Sequence, residues 1–576
     1  MTGGVGRLPA PARIALSTGA DHQTLSISAE VERVAAADLA SQVAALSFLS
    51  AVDAPLSATL EGALDPEGRL DRFEAMLEIG AGAIAPGDGA APFAFDGALA
   101  RLGYDPEARR IELTGFRAET AQARFTASGQ ALLRDVDPAS GRPAAMVVQL
   151  ALADIEIDPE GGLSEAARFD SGAADLRVSF APLRIELGQL ALLSGPRRFI
   201  ARGSAEAGQE GWTVALDAAI NEMPHDRLLA LWPLRLAPRT REWLARNVID
   251  GVLTDVQGAV RARPGAEPRL SLSYEFRDST VRVLRSLPPV TNGAGHAVVA
   301  GTRFTMALAA GGVAAPNGEA ISVAGSVFTI PDITGQPAIG EIRLETDSSL
   351  PAALALLDEP PFRFLSRAGR PTDAVEGRAR VSALLRLPLV EALTFDQIDL
   401  AATGRLTALR SDRLVPGRML TSDGMTVTVD NDGLTLSGPG RIGRVSFDAS
   451  WHQPFAREAA GASRIEGEVT LDRAFLDEFG IALPPGSLTG SAAGQIVIDL
   501  PRRAPPGFRL TSTLVGAALS VPALGWSKSA GSAGELIVEG RFGTPTRIDR
   551  LTLEAPGHSA DGRGGLNRDG SLAGEP

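Results

Sequence analysis

The chain has 576 residues and a formal net charge of −14, from 55 Lys and Arg against 69 Asp and Glu. This acidic balance does not suit the phosphate backbone of nucleic acids or a general attraction to anionic lipid surfaces, so any membrane role must rest on apolar contact. Because there is no cysteine, disulfides, thiolate metal sites and cysteine nucleophiles are excluded. Apolar residues make up 44% but aromatic residues only 5%, and Gly and Pro are abundant, which favours short strands and turns.

Few segments have the spacing of a helix. The second helical segment is expected to break at Pro233, to restart after Pro238 and to close at Gly251. The four predicted segments are 35–50 with Leu39, Val43, Leu46 and Leu49 on one face, 225–249, 350–357 and 474–479.

Alternation of apolar and polar residues recurs along the chain and predicts strands with one apolar face. Residues 270–276 alternate in this way, and so do 425–429, which reach a turn at Asn431-Asp432-Gly433 that predicts a hairpin. The apolar positions of such runs are candidates for lining a groove, namely Ile111, Leu113, Ile155, Ile157, Leu270, Leu272, Tyr274, Phe276, Phe328, Ile330, Met425, Val427, Val429, Leu434 and Leu436.

Turn signals separate these runs at unequal intervals, which indicates serial hairpins and not a strict repeat. Three near copies are Asp65-Pro66-Glu67-Gly68, Asp105-Pro106-Glu107-Ala108 and Asp158-Pro159-Glu160-Gly161, and Asn317-Gly318 and Arg568-Asp569-Gly570 continue the series. Roughly 35 to 45 short strands are too many for one sandwich. Each sheet must bury its apolar face, in a closed barrel, in a sandwich or in an open trough filled by ligand.

The residues that carry chemistry form no recognisable catalytic pattern. The five histidines have no metal-ligand spacing, no Gly-x-Ser-x-Gly motif occurs, and Gly293-Ala294-Gly295 lacks the third glycine of a dinucleotide site. Lys528 is the only lysine, so a phosphate-binding Gly-Lys-Ser/Thr loop is impossible. Asp472 with Asp477 and Glu478 is an acidic cluster, but it flanks a predicted surface helix. We expect no catalytic residue, no metal and no cofactor.

Targeting signals are not evident in the sequence. No apolar run reaches the roughly 20 residues of a membrane span, and Met1–Ala10 lacks the basic and apolar regions of a signal peptide. We therefore expect either a cytosolic protein or a targeting segment outside this chain.

One region resembles YhdP-like proteins of the AsmA-like superfamily, in matches that keep their order over about residues 205–455. The start also looks AsmA-like, with a helix at 38–50 leading into Pro55-Leu56-Ser57-Ala58-Thr59-Leu60-Glu61-Gly62. The matching segments are Leu231-Trp232-Pro233, Arg241-Glu242-Trp243-Leu244 with Asn247 and Gly251, Leu287-Pro288-Pro289-Val290, Gly293-Ala294-Gly295, residues 325–332, residues 356–361 and Leu387-Pro388-Leu389.

The resemblance implies a mainly β fold, an elongated, curled antiparallel sheet with a groove, built from serial hairpins with a few short helices. It implies a periplasmic, inner-membrane-associated envelope protein of Gram-negative bacteria that conducts phospholipid acyl chains between the inner and outer membranes, with possible envelope protein partners. Three regions follow, namely an AsmA-like part at 1–204, a YhdP-like middle part at 205–395 with a helical segment near 225–250, and further hairpins at 396–576. The family's N-terminal membrane anchor is missing from this sequence, and the sequence ends soon after a predicted strand at 548–553. We therefore expect a fragment that lacks the anchor and is truncated at the C-terminus.

Two other classes of function stay open at this point. One is a structural or assembly factor of the TamB type, which aids outer-membrane protein insertion without conducting lipid. The other is a β-rich polysaccharide enzyme or adhesin, which requires Asp472, Asp477 or Glu478 to meet in a cleft.

Overall fold

The computed structural model describes residues 12–18, 25–42, 49–84, 92–158, 162–235, 237–283, 287–360, 371–390, 393–455, 462–543, 546–566 and 572–573. The chain divides into two compact units. Unit 1 comprises Met1–Ser279 and His296–Thr302, and unit 2 comprises Thr280–Gly295 and Arg303–Pro576. The predicted division into three regions stays a prediction.

Strands make up 66% of the structure and helices 9%, so the fold is mainly β as predicted. The described chain has 38 strands, many of them longer than the short strands that the turn spacing indicated, up to the 17 residues of Asp399–Val415. Every described pairing of strands is antiparallel, and successive strands of each large sheet are joined mainly by hairpins. In each unit the sheet is curled and does not close on itself.

Unit 1 has one large sheet, whose paired order is β1, β2, β4, β5, β8, β9, β10, β11, β13, β14, β15, β16, β17, and a small sheet of β3, β6 and β7. The strands are β1 (Ala12–Thr18), β2 (Leu25–Ala35), β3 (Val52–Asp53), β4 (Pro55–Leu64), β5 (Leu70–Ile79), β6 (Gly82–Ile84), β7 (Phe93–Phe95), β8 (Gly97–Asp105), β9 (Arg110–Glu119), β10 (Ala123–Val136), β11 (Pro143–Ile157), β12 (Ala167–Phe169), β13 (Ser171–Phe180), β14 (Leu183–Ser194), β15 (Arg197–Gly208), β16 (Gly211–Pro224) and β17 (Val248–Ala262). The boundary between the units falls within β18 (Arg269–Val281) and β19 (Val290–Ala300).

Unit 2 has the same design, with a large sheet whose paired order from β23 is β23, β24, β25, β26, β27, β28, β29, β31, β32, β35, β36, β37, β38, and a small sheet of β30, β33 and β34. The strands are β20 (Arg303–Ala314), β21 (Ala320–Ser322), β22 (Val327–Ile330), β23 (Ile339–Ser349), β24 (Glu376–Pro388), β25 (Asp399–Val415), β26 (Arg418–Val429), β27 (Gly433–Ile442), β28 (Val445–Pro454), β29 (Ser463–Leu471), β30 (Leu488–Gly490), β31 (Ala492–Leu500), β32 (Gly507–Ser512), β33 (Ala517–Val521), β34 (Trp526–Lys528), β35 (Glu535–Arg541), β36 (Thr546–Ala555), β37 (His558–Leu566) and β38 (Leu572–Ala573).

The helices are short, and those that are described lie close to their predicted positions. The predicted break in the second segment is confirmed, but its closure at Gly251 is wrong, because the chain is already extended at Val248 and Gly251 lies inside β17. Residues 43–48 of the first predicted helix lie outside the described residues. The helices are α1 (Ala36–Gln42), α2 (His225–Leu231), α3 (Pro238–Asn247), α4 (Leu350–Leu357) and α5 (Arg473–Phe479).

Two predicted Asp turns and the hairpin turn after β26 are confirmed by side-chain hydrogen bonds. The Asp65 carboxylate accepts the backbone N–H of Arg69 at 2.7 Å. Asp105 accepts the N–H of Ala108 at 2.9 Å, and Asp430 accepts the N–H of Gly433 at 2.9 Å. Residues 159–161 and 568–570, which carry the other predicted turns, lie outside the described residues.

The fully buried core is concentrated beneath two helices. Ala36 and Ala40 of α1 cluster with Leu56 and Leu77, which are almost completely inaccessible. In unit 2, Ala352 and Leu350 of α4 each belong to a cluster of buried residues, and Ala355 of the same helix is also buried. Each helix therefore covers one part of its sheet.

Longer connections lie at one end of the strands within each unit. In unit 1, β2, β5 and β16 run toward the end that carries α1, the small sheet and α2–α3. In unit 2, β23, β29 and β32 run toward the end that carries α4, α5 and its small sheet. Most connections at the opposite ends are shorter, so the helices cover the sheets only near one end.

Candidate functional site

One side of the large sheet in unit 1 carries an unbroken line of apolar residues in direct register. Each residue of this line is the cross-strand partner of the next, from β1 through β17. The line consists of Ile14, Ala29, Leu60, Ala75, Leu102, Leu113, Gly129, Leu150, Ala174, Leu190, Ala201, Ala218 and Gly258. At about 4.8 Å per strand, its twelve steps follow the sheet for about 58 Å.

Unit 2 carries a second line of the same kind, from β24 through β37. At the same spacing its ten steps follow the sheet for about 48 Å. The line consists of Val381, Gly404, Val427, Leu436, Trp451, Ile465, Ile498, Phe508, Gly540, Ile548 and Gly564.

These lines are the middle of a broader uncharged surface. Side chains two positions apart along a strand share a face, with a shift of one position at a bulge. None of the same-side neighbours of either line is charged, and the polar ones, such as Gln453 and Ser463, are few. We call these surfaces the apolar face of unit 1 and the apolar face of unit 2.

The opposite side of both sheets carries the charges. In unit 1, Glu156 pairs with Arg124 at 2.6 Å and with Arg168 at 3.4 Å. In unit 2, Asp347 receives hydrogen bonds from Arg380, at 2.7 Å, and from Arg378, and these hydrogen bonds lower the pKa of Asp347. Because exposed pairs of this kind contribute little to stability, their main effect is to keep this side hydrated.

Away from α1 and α4, many residues of the apolar faces are only partly buried, while others, such as Ile155, Leu192 and Ile548, are buried. Leu150, Leu190 and Ile220 in unit 1 are half-buried, and Leu216 is 37% exposed although it points to the apolar side. At the edge strand β1, Ile14 is 71% exposed. A sealed core would bury such side chains almost completely. Within the described ranges, no second layer of chain covers these stretches.

The predicted groove residues lie on these surfaces or on strands continuous with them. Val427 and Val429 are direct partners of Leu436 and Leu434, so one hairpin brings together most of the candidates in unit 2. The ring centroids of Phe328 and Phe304 lie 6.1 Å apart. Of the fifteen candidates, Ile111, Ile155, Phe276 and Met425 are buried, Leu270 is 50% exposed, and the half-buried ones are Leu113, Ile157, Leu272, Tyr274, Phe328, Ile330, Val427, Val429, Leu434 and Leu436.

Tyr274 has an environment that is unusual for a tyrosine. It lies on β18 among alternating apolar residues, and burial raises the pKa of its hydroxyl to about 12. Burial is also the largest cause of the raised pKa of Tyr104, which lies on the apolar face of unit 1 beside Ile111. The two tyrosines of the chain thus report on apolar surroundings.

Several face residues escaped the sequence prediction. Leu187 and Leu190 lie on the same face although they are three positions apart, because a bulge shifts the register between them. Leu150 lies in Val148-Gln149-Leu150-Ala151-Leu152, whose alternation was the available signal. Gly and Ala at other face positions interrupt the alternation of bulky apolar and polar residues, so the sequence pattern does not mark them as face residues.

The acidic cluster of Asp472, Asp477 and Glu478 has structural partners. Asp472 caps α5 by accepting the N–H of Phe475 at 2.9 Å. Asp477 pairs with Arg473 at 2.9 Å, and Glu478 pairs with Arg418 at 3.5 Å. These contacts fix one helix of unit 2 and do not assemble a pair of free carboxylates.

Among the described residues, no three His, Asp or Glu side chains are placed to hold a metal ion together. None of the described helices has the length and apolar character of a membrane span. No protein-family model, no curated protein and no solved structure matches this chain.

Proposed function

We propose that this protein binds phospholipid and shields its acyl chains on the apolar faces of the two units. One observation carries the proposal: each large sheet has a long uncharged face on which many aliphatic side chains remain partly exposed. A sheet with one apolar face is stable only when another apolar layer covers it. The short helices cover a small part of each face, and acyl chains are suited to the remainder.

The energy of acyl-chain burial is sufficient for such a role. Each methylene group removed from water contributes about 0.8 kcal/mol. An acyl chain spans about half of the roughly 30 Å hydrocarbon core of a bilayer, so it carries more than ten such groups. A two-chain lipid therefore binds well even when each face covers only one side of it.

The length and uniformity of the faces favour a track over a single pocket. Each line of residues is about three to four times as long as one acyl chain. Gly and Ala lie among the Leu, Ile and Val residues, and only Trp451 and Phe508 bring rings into the two lines. Because successive positions are chemically similar, a lipid moves along the face without crossing a large energy barrier, and its headgroup stays in water.

This proposal includes the cellular setting that the resemblance to YhdP-like proteins implies. The protein is then a periplasmic, inner-membrane-associated bridge for phospholipid between the inner and outer membranes. No catalytic residue is needed, because transfer follows from binding and release along one surface.

Lipid content and lipid uptake test the proposal. The full chain is purified, its bound lipid is extracted and identified by mass spectrometry, and the delipidated protein is offered a fluorescent phospholipid. We expect co-purified phospholipid and saturable uptake. Protein that carries no lipid and takes up none refutes the proposal, and crosslinks to outer-membrane assembly proteins would then favour the TamB-type alternative.

A further inference from the structure

A small module at one end of unit 2 has an unusual surface. Its residues, 481–491 and 513–533, form the sheet of β30, β33 and β34 with its connections, and we call it the cap. The whole chain is 22% charged, so 32 residues would carry about seven charges on average. The cap carries one, Lys528, which is only 2% exposed. Its surface is therefore free of charge.

The single lysine fastens the inside of the cap. Its ammonium group donates hydrogen bonds to the carbonyl oxygens of Leu514 at 2.7 Å, Ala517 at 2.9 Å and Ser529 at 3.1 Å. Trp526 holds the cap to the main sheet, since its Nε1 donates to the carbonyl of Pro556 at 3.0 Å. The cap is thus a firmly attached element of the unit.

One end of the cap presents an apolar tip. Because β30 runs antiparallel to β33 and Ser520 N–H donates to Ser487 O at 3.0 Å, the loop before β30 lies beside the turn between β33 and β34. Leu524 in that turn is 63% exposed, and Leu483 in the neighbouring loop is 38% exposed. The exposed residues of the tip are Leu483, Pro484, Pro485, Pro522, Ala523, Leu524 and Gly525, with neighbouring Gly486 and Ala482.

The backbone of the tip is also suited to an apolar environment. Pro484, Pro485 and Pro522 have no N–H group, and Gly525 N–H already donates to Pro522 O at 3.0 Å. Moving unpaired backbone donors out of water is costly, so a tip with few of them inserts readily.

We infer that the tip of the cap inserts into the interfacial region of a lipid bilayer. The surface has no charge for an acidic or basic partner, and its nine residues are fewer than the roughly 20–30 that each partner contributes to a stable protein interface. Shallow insertion needs only a few apolar side chains. Since no exposed cation contributes, binding does not require anionic lipid and is insensitive to salt. This inference concerns a surface separate from the apolar faces and does not depend on lipid transport.

Labelling with an environment-sensitive dye tests the inference, because the chain has no native cysteine. Leu524→Cys and the control Leu384→Cys, whose site is 56% exposed on the charged side of β24, are labelled in the full chain. With phosphatidylcholine vesicles, we expect brighter, blue-shifted emission at position 524 only, equal at low and high salt. No change at 524, an equal change at 384, or a response that needs anionic lipid overturns the inference.

Vesicle co-sedimentation measures whether a charge at the tip weakens binding to the bilayer. Leu524→Asp should lower the partition coefficient about tenfold, and Leu384→Asp should leave it unchanged. If Leu524→Asp keeps its melting temperature and binds vesicles as well as the wild type does, the inference is overturned. It is also overturned if the wild type self-associates without vesicles and Leu524→Asp abolishes that self-association. Lipid extracted from both proteins separates the two proposals. A normal lipid load in Leu524→Asp with reduced vesicle binding supports both, and vesicle binding by a wild type that carries no lipid supports the tip alone.

Discussion

Substituting Val427 with Asp places one charge in the centre of the apolar face of unit 2. Val427 is half-buried between Gly404 and Leu436, its direct partners on the adjacent strands. A methyl group on Gly404 would come within 2.8 Å of Val427 Cγ1, so the valine occupies the space that the glycine leaves. Asp is similar in size to Val, and the main change is therefore in charge.

The expected effect is a large loss of bound lipid. An aspartate in the hydrocarbon part of a membrane costs about 2.5–3.5 kcal/mol, which corresponds to about two orders of magnitude in affinity for a chain lying over it. Adjacent Thr428 is exposed on the opposite side, so Thr428→Asp is a matched control with the same added charge. Fluorescent phospholipid is titrated into both delipidated variants and the wild type.

Two outcomes of this comparison would refute the reasoning. Both variants must first keep the circular dichroism spectrum and melting behaviour of the wild type, so that altered binding is not unfolding. If Val427→Asp then binds lipid as tightly as Thr428→Asp, the face of unit 2 does not contact acyl chains. If both lose lipid equally, net charge and not the identity of the face decides binding, and the reasoning is again refuted.

Three other perturbations test the remaining surfaces. Leu272→Asp should reduce lipid load while Ser271→Asp, on the exposed side of β18, should not, as measured by phosphate in lipid extracts. Burial raises the pKa of Tyr274 to about 12, so its hydroxyl should stay protonated in the folded protein at about pH 10.5, and its tyrosinate absorbance should appear on adding denaturant. Burial also raises the pKa of Tyr104, and because both folded-state pKa values lie above the unfolded value of about 10, stability should fall as pH rises above 10. Lys528→Met leaves three carbonyl groups without their donor and should destabilise the cap by about 1–3 kcal/mol, measured by hydrogen exchange in β33 and β34; unchanged exchange contradicts the role of the ammonium.

Local signals in the sequence were sufficient for the elements themselves. Prolines at 233 and 238 marked the break between α2 and α3, and Asp430 with Gly433 marked the hairpin between β26 and β27. Alternation identified Val427 and Leu436 as apolar-side residues because nothing interrupts it there. These features depend on a few neighbouring residues, which is why a single sequence reveals them.

Pairing across strands could not be read from the sequence in the same way. β11 pairs with β12 at its end and with β13 over most of its length, and the second pairing makes Leu150 and Ala174 partners. The bulge between Leu187 and Leu190 changes which residues share a face, and Gly188 within it was a signal of a bulge but not of the register. Lys528 was noted as the only lysine, but its burial depends on carbonyl groups brought together by the folded cap.

The distribution of charge gives the strongest physical reason to regard the apolar faces as a binding surface and not as a poorly filled core. In a core, incomplete burial leaves stability unused, and larger residues at open positions or an added helix would recover it. Here small residues repeat along lines of about 50 Å or more, and charge is kept off both faces while the reverse sides carry many ion pairs. Each of these features suits the binding of an occupant that is long, apolar and exchangeable. Acyl chains have those three properties, and folded protein segments lack the third.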